Sequence, residues 1–178
     1  MELESVLNED RAIKVNKVTK ATKVMTIGIV ESQDELEVLN VDTCPRFTFD
    51  GEVHLGKIIS CYDGDTCHCI FKYNNEYKVF IIRMYGYDSP EMKLAKDMPE
   101  SEKNMLKEKA LSAKHRLEEL ILNKCVYIFC KDFDKYGRVL ALIKLNIDDK
   151  KTVNDIMIEE DHGYAYFGGT KRSIDEQN

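Results

Sequence analysis

The stretch from His54 to Tyr85 reads HLGKIISCYDGDTCHCIFKYNNEYKVFIIRMY, and its pattern decides the fold. Three runs rich in β-branched and aromatic residues, 54–62, 66–73 and 76–85, are separated by Asp63-Gly64 and by Asn74-Asn75. Asp, Gly and Asn are typical turn residues, and Asn tolerates the positive φ angles of a tight hairpin. The stretch therefore predicts a three-stranded antiparallel meander.

A helix is predicted to follow the third strand. The residues that recur at helical spacing and form its apolar face are Leu106, Ala110, Ala113, Leu117 and Leu120. Asp97 is placed to cap the first turn, with Pro99 inside that turn, and Asn123 can end the helix in a left-handed conformation.

Two further strands, 124–130 and 138–145, come after the helix. Thr152 and Asp155 then have the spacing of a capping box for a short second helix that runs through Glu160. The resulting order is β-β-β-α-β-β-α. Five antiparallel strands with a helix after the third are the plan of an OB-type barrel, so the predicted fold is mainly β with helices (α+β), a five-stranded OB-fold barrel.

The barrel pattern begins only after the first fifty residues. We therefore divide the chain into an N-terminal extension of unknown fold (1–50), a barrel domain (51–167) and a polar tail (168–178). In the extension, basic residues recur every third position between 11 and 23, and short strands are predicted at 24–30 and 37–41. The basic repeat fits either a segment that binds along a nucleic-acid phosphate backbone or a solvated, partly ordered segment before the barrel.

Composition restricts the kind of partner and compartment. The formal net charge is -6, which argues against a domain that binds nucleic acid by bulk positive charge. The apolar runs are too short to span a bilayer, and the N-terminus lacks the pattern of a secretory signal. The six Cys are therefore expected to be thiols in a reducing, intracellular compartment.

Three short segments concentrate reactive side chains, and each lies at the end of a predicted strand. They are 63–66 (DGDT), Arg83 with 88–91 (DSPE), and 134–138 (DKYGR). Taken alone, each is typical of a turn or a solvated charge. Together they supply two carboxylates for a hard divalent cation, two Arg for one phosphate, and a further carboxylate for a water. Such a set can cleave a phosphodiester.

The order of the elements and all three motifs resemble the staphylococcal nuclease (thermonuclease) family, from about Val53 to about Tyr166. Arg83 lies five residues before Asp88 and eight before Glu91, as in that family, and the sequence Asp-Lys-Tyr-Gly-Arg is present in full. The resemblance implies an OB-fold enzyme that depends on calcium (Ca²⁺) and cleaves DNA and RNA, leaving 3′-phosphate ends.

The resemblance also implies which residues would hold the metal and activate the water. Asp65 and Asp88 would be metal ligands, with the backbone carbonyl of Ser89 as a third. Ser replaces the usual Thr at this position, which does not alter a carbonyl ligand. Glu91 would activate the attacking water.

Four further residues would contact phosphate groups of the substrate. Arg83 would hold the scissile phosphate and stabilise its charge in the transition state, and Arg138 would act near the leaving 5′-oxygen. Lys135 and Tyr136 would contact a nucleotide phosphate.

Some features depart from the family. The hairpin between Asp65 and Arg83 is longer than in the bacterial enzyme, and the aromatic pair that flanks the base has no clear counterpart. Tyr164, Tyr166 and Phe167 lie in the corresponding region, and Tyr166 is the candidate for stacking on a base, although strand or core aromatics are an equal alternative. The chain's end weakly resembles nuclease-like domains encoded by large DNA viruses, which would place the protein in a host cell or virion.

A zinc site was the main competing interpretation of the cysteines. Cys61, Cys67, Cys69 and His68 are close in sequence, but strand alternation points Cys67 and Cys69 to one face and His68 to the other. Buried thiols explain these Cys better. By the same alternation, Cys125 and Cys130 face opposite ways.

The predicted function is hydrolysis of DNA or RNA by a metal-dependent nuclease. The alternatives are an inactive nucleic-acid or protein-binding module on the same fold, and a virion-associated protein whose residues 1–50 dock on a protein partner. Calcium, magnesium and manganese all accept carboxylate oxygens, so the sequence leaves the metal open, as it does the choice between DNA and RNA.

Overall fold

A computed structural model of the chain describes residues 32–93 and 98–169. The described residues from 46 onward form one compact unit, and residues 32–45 belong to another. This second unit contains a short helix, α1 (Gln33–Glu37), with the side chain of Ser32 at its N-cap. The predicted basic repeat and the predicted strand 24–30 lie outside the described residues.

The predicted strand at 37–41 is wrong, because α1 ends there and the chain turns. The side chain of Asn40 accepts hydrogen bonds from the backbone N–H groups of Asp42 (2.9 Å) and Thr43 (3.3 Å). Such Asn turns compete with extended structure and stop a strand from forming.

Five strands close into a barrel in the order β1-β2-β3-β6-β5. The elements of the larger unit are, in chain order, β1 (Val53–Cys61), β2 (Thr66–Tyr73), β3 (Glu76–Met84), β4 (Gly86–Asp88), α2 (Glu100–Ile121), β5 (Cys125–Phe133), β6 (Val139–Lys144), α3 (Val153–Glu159) and β7 (Tyr164–Tyr166). The short strands β4 and β7 pair as a separate two-stranded sheet. The predicted OB-like α+β barrel is confirmed.

The β2–β3 hairpin turns where the sequence predicts. Asn74 and Asn75 have φ angles of 48° and 63°, and Tyr73 pairs with Glu76 across the turn. The expectation of antiparallel pairing throughout is wrong, since β3 and β6 are parallel, with Ile82 opposite Val139. The reason is topological: strand directions cannot alternate all the way around a closed ring of five.

Helix α2 packs on the barrel with the predicted apolar face. One position differs: Ile121, which was not predicted, is fully buried, and the predicted Leu120 is only partly buried. The helix begins at Glu100, with Pro99 at the N-cap and not inside the first turn. Asp97, the predicted cap, lies outside the described residues. Asn123 has φ 60°, and α3 begins with the predicted capping box. No helix among the described residues is both long and apolar enough to cross a membrane.

Aromatic residues fill one end of the barrel. Phe49, which precedes β1, is 1% exposed, and its ring lies 5.4 Å from that of Phe80 and 5.7 Å from that of Phe71. The backbone around it joins β5, because Gly51 N–H donates to the carbonyl of Cys130 (3.2 Å). The packing of the barrel therefore extends to residues numbered below 51.

The cysteines follow the predicted alternation. Cys61, Cys67, Cys69 and Cys130 are buried, and Cys125 is exposed. His68 lies on the opposite face of β2, where its Nδ1 is 2.9 Å from the hydroxyl of Ser60. In the described part of the chain, no three His, Cys, Asp or Glu side chains are grouped to hold a metal.

Candidate active site

The three reactive segments meet at one cavity of about 760 Å³ on the outer side of the barrel. It is bounded by the loop after β1, the segment after β4, the β5–β6 loop, and the end of β7 with the residues after it. The predicted site residues that line it are Asp65, Arg83, Ser89, Glu91, Lys135, Tyr136, Arg138 and Tyr166. Asp88 lies behind this lining, 2% exposed, and reaches the site through Arg83.

The loop after β1 is held tightly against the rest of the barrel. A Cβ atom at Gly64 would lie 2.7 Å from the Cβ of Ala113 on α2 and 2.8 Å from the Cβ of Ser89. Only glycine therefore lets the loop approach both elements. The side chain of Asp63 accepts the backbone N–H of Asp65 (3.1 Å) and closes the turn.

Asp65 is 6% exposed, and its carboxylate is surrounded by donors. Its Oδ2 accepts from the backbone N–H (3.0 Å) and the hydroxyl (3.1 Å) of Ser89, and its Oδ1 accepts from the hydroxyl of Thr66 (2.9 Å). Burial raises the pKa of Asp65 to about 6, although Arg83 acts in the opposite direction. Ser89 thus positions Asp65 through two donors, which the sequence did not predict.

Arg83 is buried between the two predicted metal ligands. Its Nη2 lies 2.5 Å from Oδ1 of Asp88 and 3.1 Å from Oδ2 of Asp65. Its Nη1 donates to the backbone carbonyls of Met84 (3.1 Å) and Tyr87 (2.8 Å). One guanidinium therefore serves two carboxylates, so when both are ionised the cluster carries an excess of one negative charge.

Tyr164, which the sequence offers only as a candidate for stacking on a base, contacts a predicted metal ligand. Its hydroxyl donates to Oδ2 of Asp88 at 3.0 Å, and the two residues are paired across β4 and β7. The close approach depends on Gly163, where a Cβ would lie 2.2 Å from the carbonyl oxygen of Asp88. The alternation Tyr164-Ala165-Tyr166 indicates a strand, but it does not reveal which strand pairs with it.

Arg138 is positioned by Asp134, a residue given no role from sequence. Oδ2 of Asp134 accepts from Nε of Arg138 (2.7 Å), and Oδ1 accepts from the backbone N–H groups of Tyr136 and Arg138 (2.9 Å each). Burial opposes ionisation of Asp134, but these hydrogen bonds outweigh it and lower its pKa. A further contact joins Nη1 of Arg138 to the hydroxyl of Thr66 (3.3 Å).

The remaining predicted residues lie at the rim of the cavity. Glu91 is exposed, and Tyr136 is 72% exposed, with Nζ of Lys135 5.0 Å from its ring centre. The hydroxyl of Tyr166 donates to the carbonyl of Gly169 (2.8 Å). Phe167, also at the rim, is 73% exposed, with its ring 5.7 Å from that of Tyr85.

The donor atoms fit a hard divalent cation. Asp65, Asp88 and the carbonyl of Ser89 offer only oxygen, which calcium and magnesium prefer. Both carboxylates contact the same Nη2 atom of Arg83, so one oxygen of each faces a common point. The excess negative charge of the cluster favours such a cation.

The barrel and its cavity define an OB-like α+β domain with a buried acidic pair and two cavity-facing arginines. Residues 81–177 match the sequence pattern described as staphylococcal nuclease homologue. The chain belongs to this family. The matched range contains Arg83, Asp88, Glu91 and Arg138, whereas Asp65 precedes it. A comparison with curated protein sequences finds no match.

Proposed function

We propose that this protein is a calcium-dependent nuclease that hydrolyses phosphodiester bonds of DNA or RNA. The observation that carries the proposal is the convergence on one cavity of Arg83, Arg138 and Glu91 with the buried pair Asp65 and Asp88. Membership of the staphylococcal nuclease homologue family supports a nuclease-type activity.

Asp65, Asp88 and the backbone carbonyl of Ser89 would hold the divalent cation. When bound there, the cation supplies Lewis acidity toward a phosphate oxygen. Tyr164 and Ser89 keep the two carboxylates in place, because each donates a hydrogen bond to one of them.

The chemistry on the protein side is an in-line displacement at phosphorus. Glu91 orients a water and accepts its proton as the water oxygen attacks, while the bond from phosphorus to the 5′-oxygen breaks. Arg83 stabilises the charge that develops on the phosphoryl oxygens, and Arg138 stabilises the leaving 5′-oxygen. The leaving 5′-oxygen takes a proton from solvent water, so the products are a 3′-phosphate and a 5′-hydroxyl.

Arg83 has to change partners for this role. Its Nη2 contacts both carboxylates in the structure, so binding of a phosphate requires it to exchange at least one carboxylate oxygen for a phosphate oxygen. The Nη1 contacts to Met84 and Tyr87 can hold the guanidinium near the cavity during that exchange.

The other rim residues would bind the substrate. Lys135 and Tyr136 would contact a neighbouring phosphate, and Tyr166 would stack on a base. A role for residues 1–50 in binding a protein partner, in a host cell or virion, stays a separate proposal. Deleting residues 1–45 and measuring association and cleavage independently tests it, because Phe49 is part of the barrel core and has to stay.

The test is digestion of single-stranded DNA and RNA with calcium or with EDTA, by the wild type, Arg83→Ala and Arg116→Ala. Arg116 is the matched control, because it bonds Glu160 on the surface far from the predicted motifs in sequence. Loss of one transition-state contact should slow Arg83→Ala by at least ~10²-fold and leave Arg116→Ala unchanged. Equal rates for Arg83→Ala and wild type would contradict the assignment. A wild type that binds but cleaves neither polymer would support the alternative of an inactive binding module.

A further inference from the structure

The face of the barrel that carries Arg83 continues well beyond the cavity. Ile82 and Met84 point into the core, 0% and 1% exposed, so alternation places Arg83, Ile81, Val79 and Tyr77 together on the outer face of β3. Their exposure rises along the strand, from 8% at Arg83 through 43% and 55% to 77% at Tyr77. An open row of side chains thus leads away from the site.

The neighbouring strand β2 widens this row into a surface. Its outer-face residues are paired with those of β3: His68 with Ile81, Ile70 with Val79, and Lys72 with Tyr77. We call these six residues the outer track. Along β3, Tyr77 at the far end of the outer track lies about 20 Å from Arg83 at the cavity, at a rise of about 3.4 Å per residue.

The outer track has a positive edge, unlike the chain as a whole. Lys72 belongs to it, and Lys57 on β1 lies opposite Ile70; both are exposed. Along β2 and β3, which are fully described, no outer-face position carries a carboxylate. Glu76 lies on the opposite face of β3, where it pairs with Lys78 (2.9 Å).

The end of the outer track nearest the cavity is bordered by the β5–β6 loop. Because β6 runs parallel to β3 with Val139 opposite Ile82, Arg138 enters the sheet next to Ile81. The same loop presents the exposed ring of Tyr136 and the ammonium group of Lys135. An aromatic residue and a cation therefore occur at both ends, Tyr136 with Lys135 and Tyr77 with Lys72.

We propose that the outer track binds the part of a single-stranded polynucleotide that lies outside the catalytic cavity. This inference rests on the proposed function. Phosphates would contact Lys72 and Lys57, bases would stack on Tyr77 and Tyr136, and Ile81 and Val79 would contact apolar faces of the bases. Aromatic stacking combined with a cationic groove is the general mode of sequence-tolerant single-strand binding, and the β2–β3 face of OB-folds is used for it.

Charge favours a polyanion over a second copy of the chain. A two-fold dimer would place the same patch against itself, which brings the lysines of one copy near those of the other. A polynucleotide brings a phosphate to each lysine. The length of the face also matches the several nucleotides that an OB-fold contacts.

The test measures binding of fluorescent 16-nucleotide oligo-dT and oligo-U in EDTA, where cleavage is suppressed, by fluorescence anisotropy. The variants are Tyr77→Ala and Lys72→Gln, with Lys78→Gln as the matched control on the opposite face of β3. We expect Tyr77→Ala to weaken binding at least about fivefold. Lys72→Gln should lower the slope of log affinity against log salt by about 0.7. Lys78→Gln should change neither, and the comparison of oligo-dT with oligo-U shows which of the two the protein binds more tightly.

Cleavage with calcium separates this inference from the proposed function. Tyr77→Ala should lower kcat/KM for the 16-mer and leave that for a trinucleotide unchanged, because a trinucleotide at the cavity does not reach Tyr77. If Tyr77→Ala and Lys72→Gln bind both 16-mers as tightly as the wild type does, the proposal for the outer track is wrong and the nuclease assignment stands. Binding without any cleavage would overturn the nuclease assignment alone. A different outcome would be sedimentation that shows a wild-type dimer, which Tyr77→Ala disrupts while oligonucleotide binding is unchanged. That result would replace the inference with self-association of the chain.

Discussion

Arg83 and Asp88 are joined by a 2.5 Å contact between Nη2 and Oδ1, and both residues are almost fully buried. The same Nη2 also serves Asp65, so one guanidinium compensates two buried carboxylates. A buried charge that loses its partner is strongly unfavourable. The proposed catalytic arginine is thus also a structural counter-ion.

Replacement of Arg83 should therefore affect stability as well as catalysis. In EDTA, Arg83→Ala should lower the free energy of unfolding by about 3–5 kcal/mol, because Asp65 and Asp88 lose their shared cation. Millimolar calcium should raise the Tm of this variant more than that of wild type, since the ion takes over the role of counter-charge. Denaturant unfolding and thermal melts, each with and without calcium, measure both effects. An equal calcium response in the two proteins would argue against a cation at this position.

The pH dependence of stability should reflect Asp65. Burial raises its pKa from the ordinary value to about 6, so between about pH 4 and pH 6 the folded protein binds a proton that the unfolded chain releases. Its contribution to stability is therefore complete below pH 4 and is lost as the pH rises through 6. Urea unfolding in EDTA across this range should show the decline, and Asp65→Asn should make it shallower. A decline of equal steepness in the variant would assign it to other groups.

Tyr164 should act through Asp88 and not through the substrate. Tyr164→Phe removes the hydroxyl that donates to Oδ2 of Asp88. Calcium binding should weaken about 10–100-fold, which is the usual effect of losing a hydrogen-bond partner of a metal ligand. Tyr166→Phe is the control, since the hydroxyl of Tyr166 donates to the backbone carbonyl of Gly169 and not to a predicted metal ligand. Isothermal titration calorimetry measures both affinities. Equal losses in the two variants would deny Tyr164 a specific role.

Asp134 should matter only through Arg138. Asp134→Ala removes three hydrogen bonds, one of which is the 2.7 Å bond from Nε of Arg138. Arg138 should then lose its position, and the cleavage rate should fall by up to ~10²-fold. The double variant Asp134→Ala/Arg138→Ala should then be no slower than Arg138→Ala alone. Additive losses in single-turnover rates would show that Asp134 acts by another route.

Thiol reactivity tests the packing of the barrel. Burial raises the pKa of Cys61, Cys69 and Cys130 to about 12, and it also raises that of Cys67. The native protein should therefore react rapidly with a thiol reagent at two positions, the exposed Cys44 and Cys125. All six should react after unfolding in guanidinium. Rapid labelling of Cys67 in the native state would contradict the closed barrel.

Local sequence patterns predicted the elements of the barrel well. The Asn74-Asn75 turn, the left-handed Asn123 and the capping box at Thr152 are each set by a few adjacent residues, and the structure confirms them. The strand at 37–41 failed because a single Asn turn outweighs weak strand propensity. The predicted start of α2 is two positions too early, with Pro99 at the N-cap instead of inside the first turn, because helix ends are weakly specified by sequence.

The sequence by itself determined the five barrel strands, their order with the two helices of the barrel unit, and the reactive residue types, because periodicity, turn chemistry and motif spacing act over a few neighbouring positions. Only the tertiary structure decided that Arg83 lies between Asp65 and Asp88, that Tyr164 holds Asp88, and that β6 runs parallel to β3. The partners in these contacts come from different strands and loops. They meet because closing a five-stranded ring and packing α2 over it bury charged groups, which must then find their partners inside the fold.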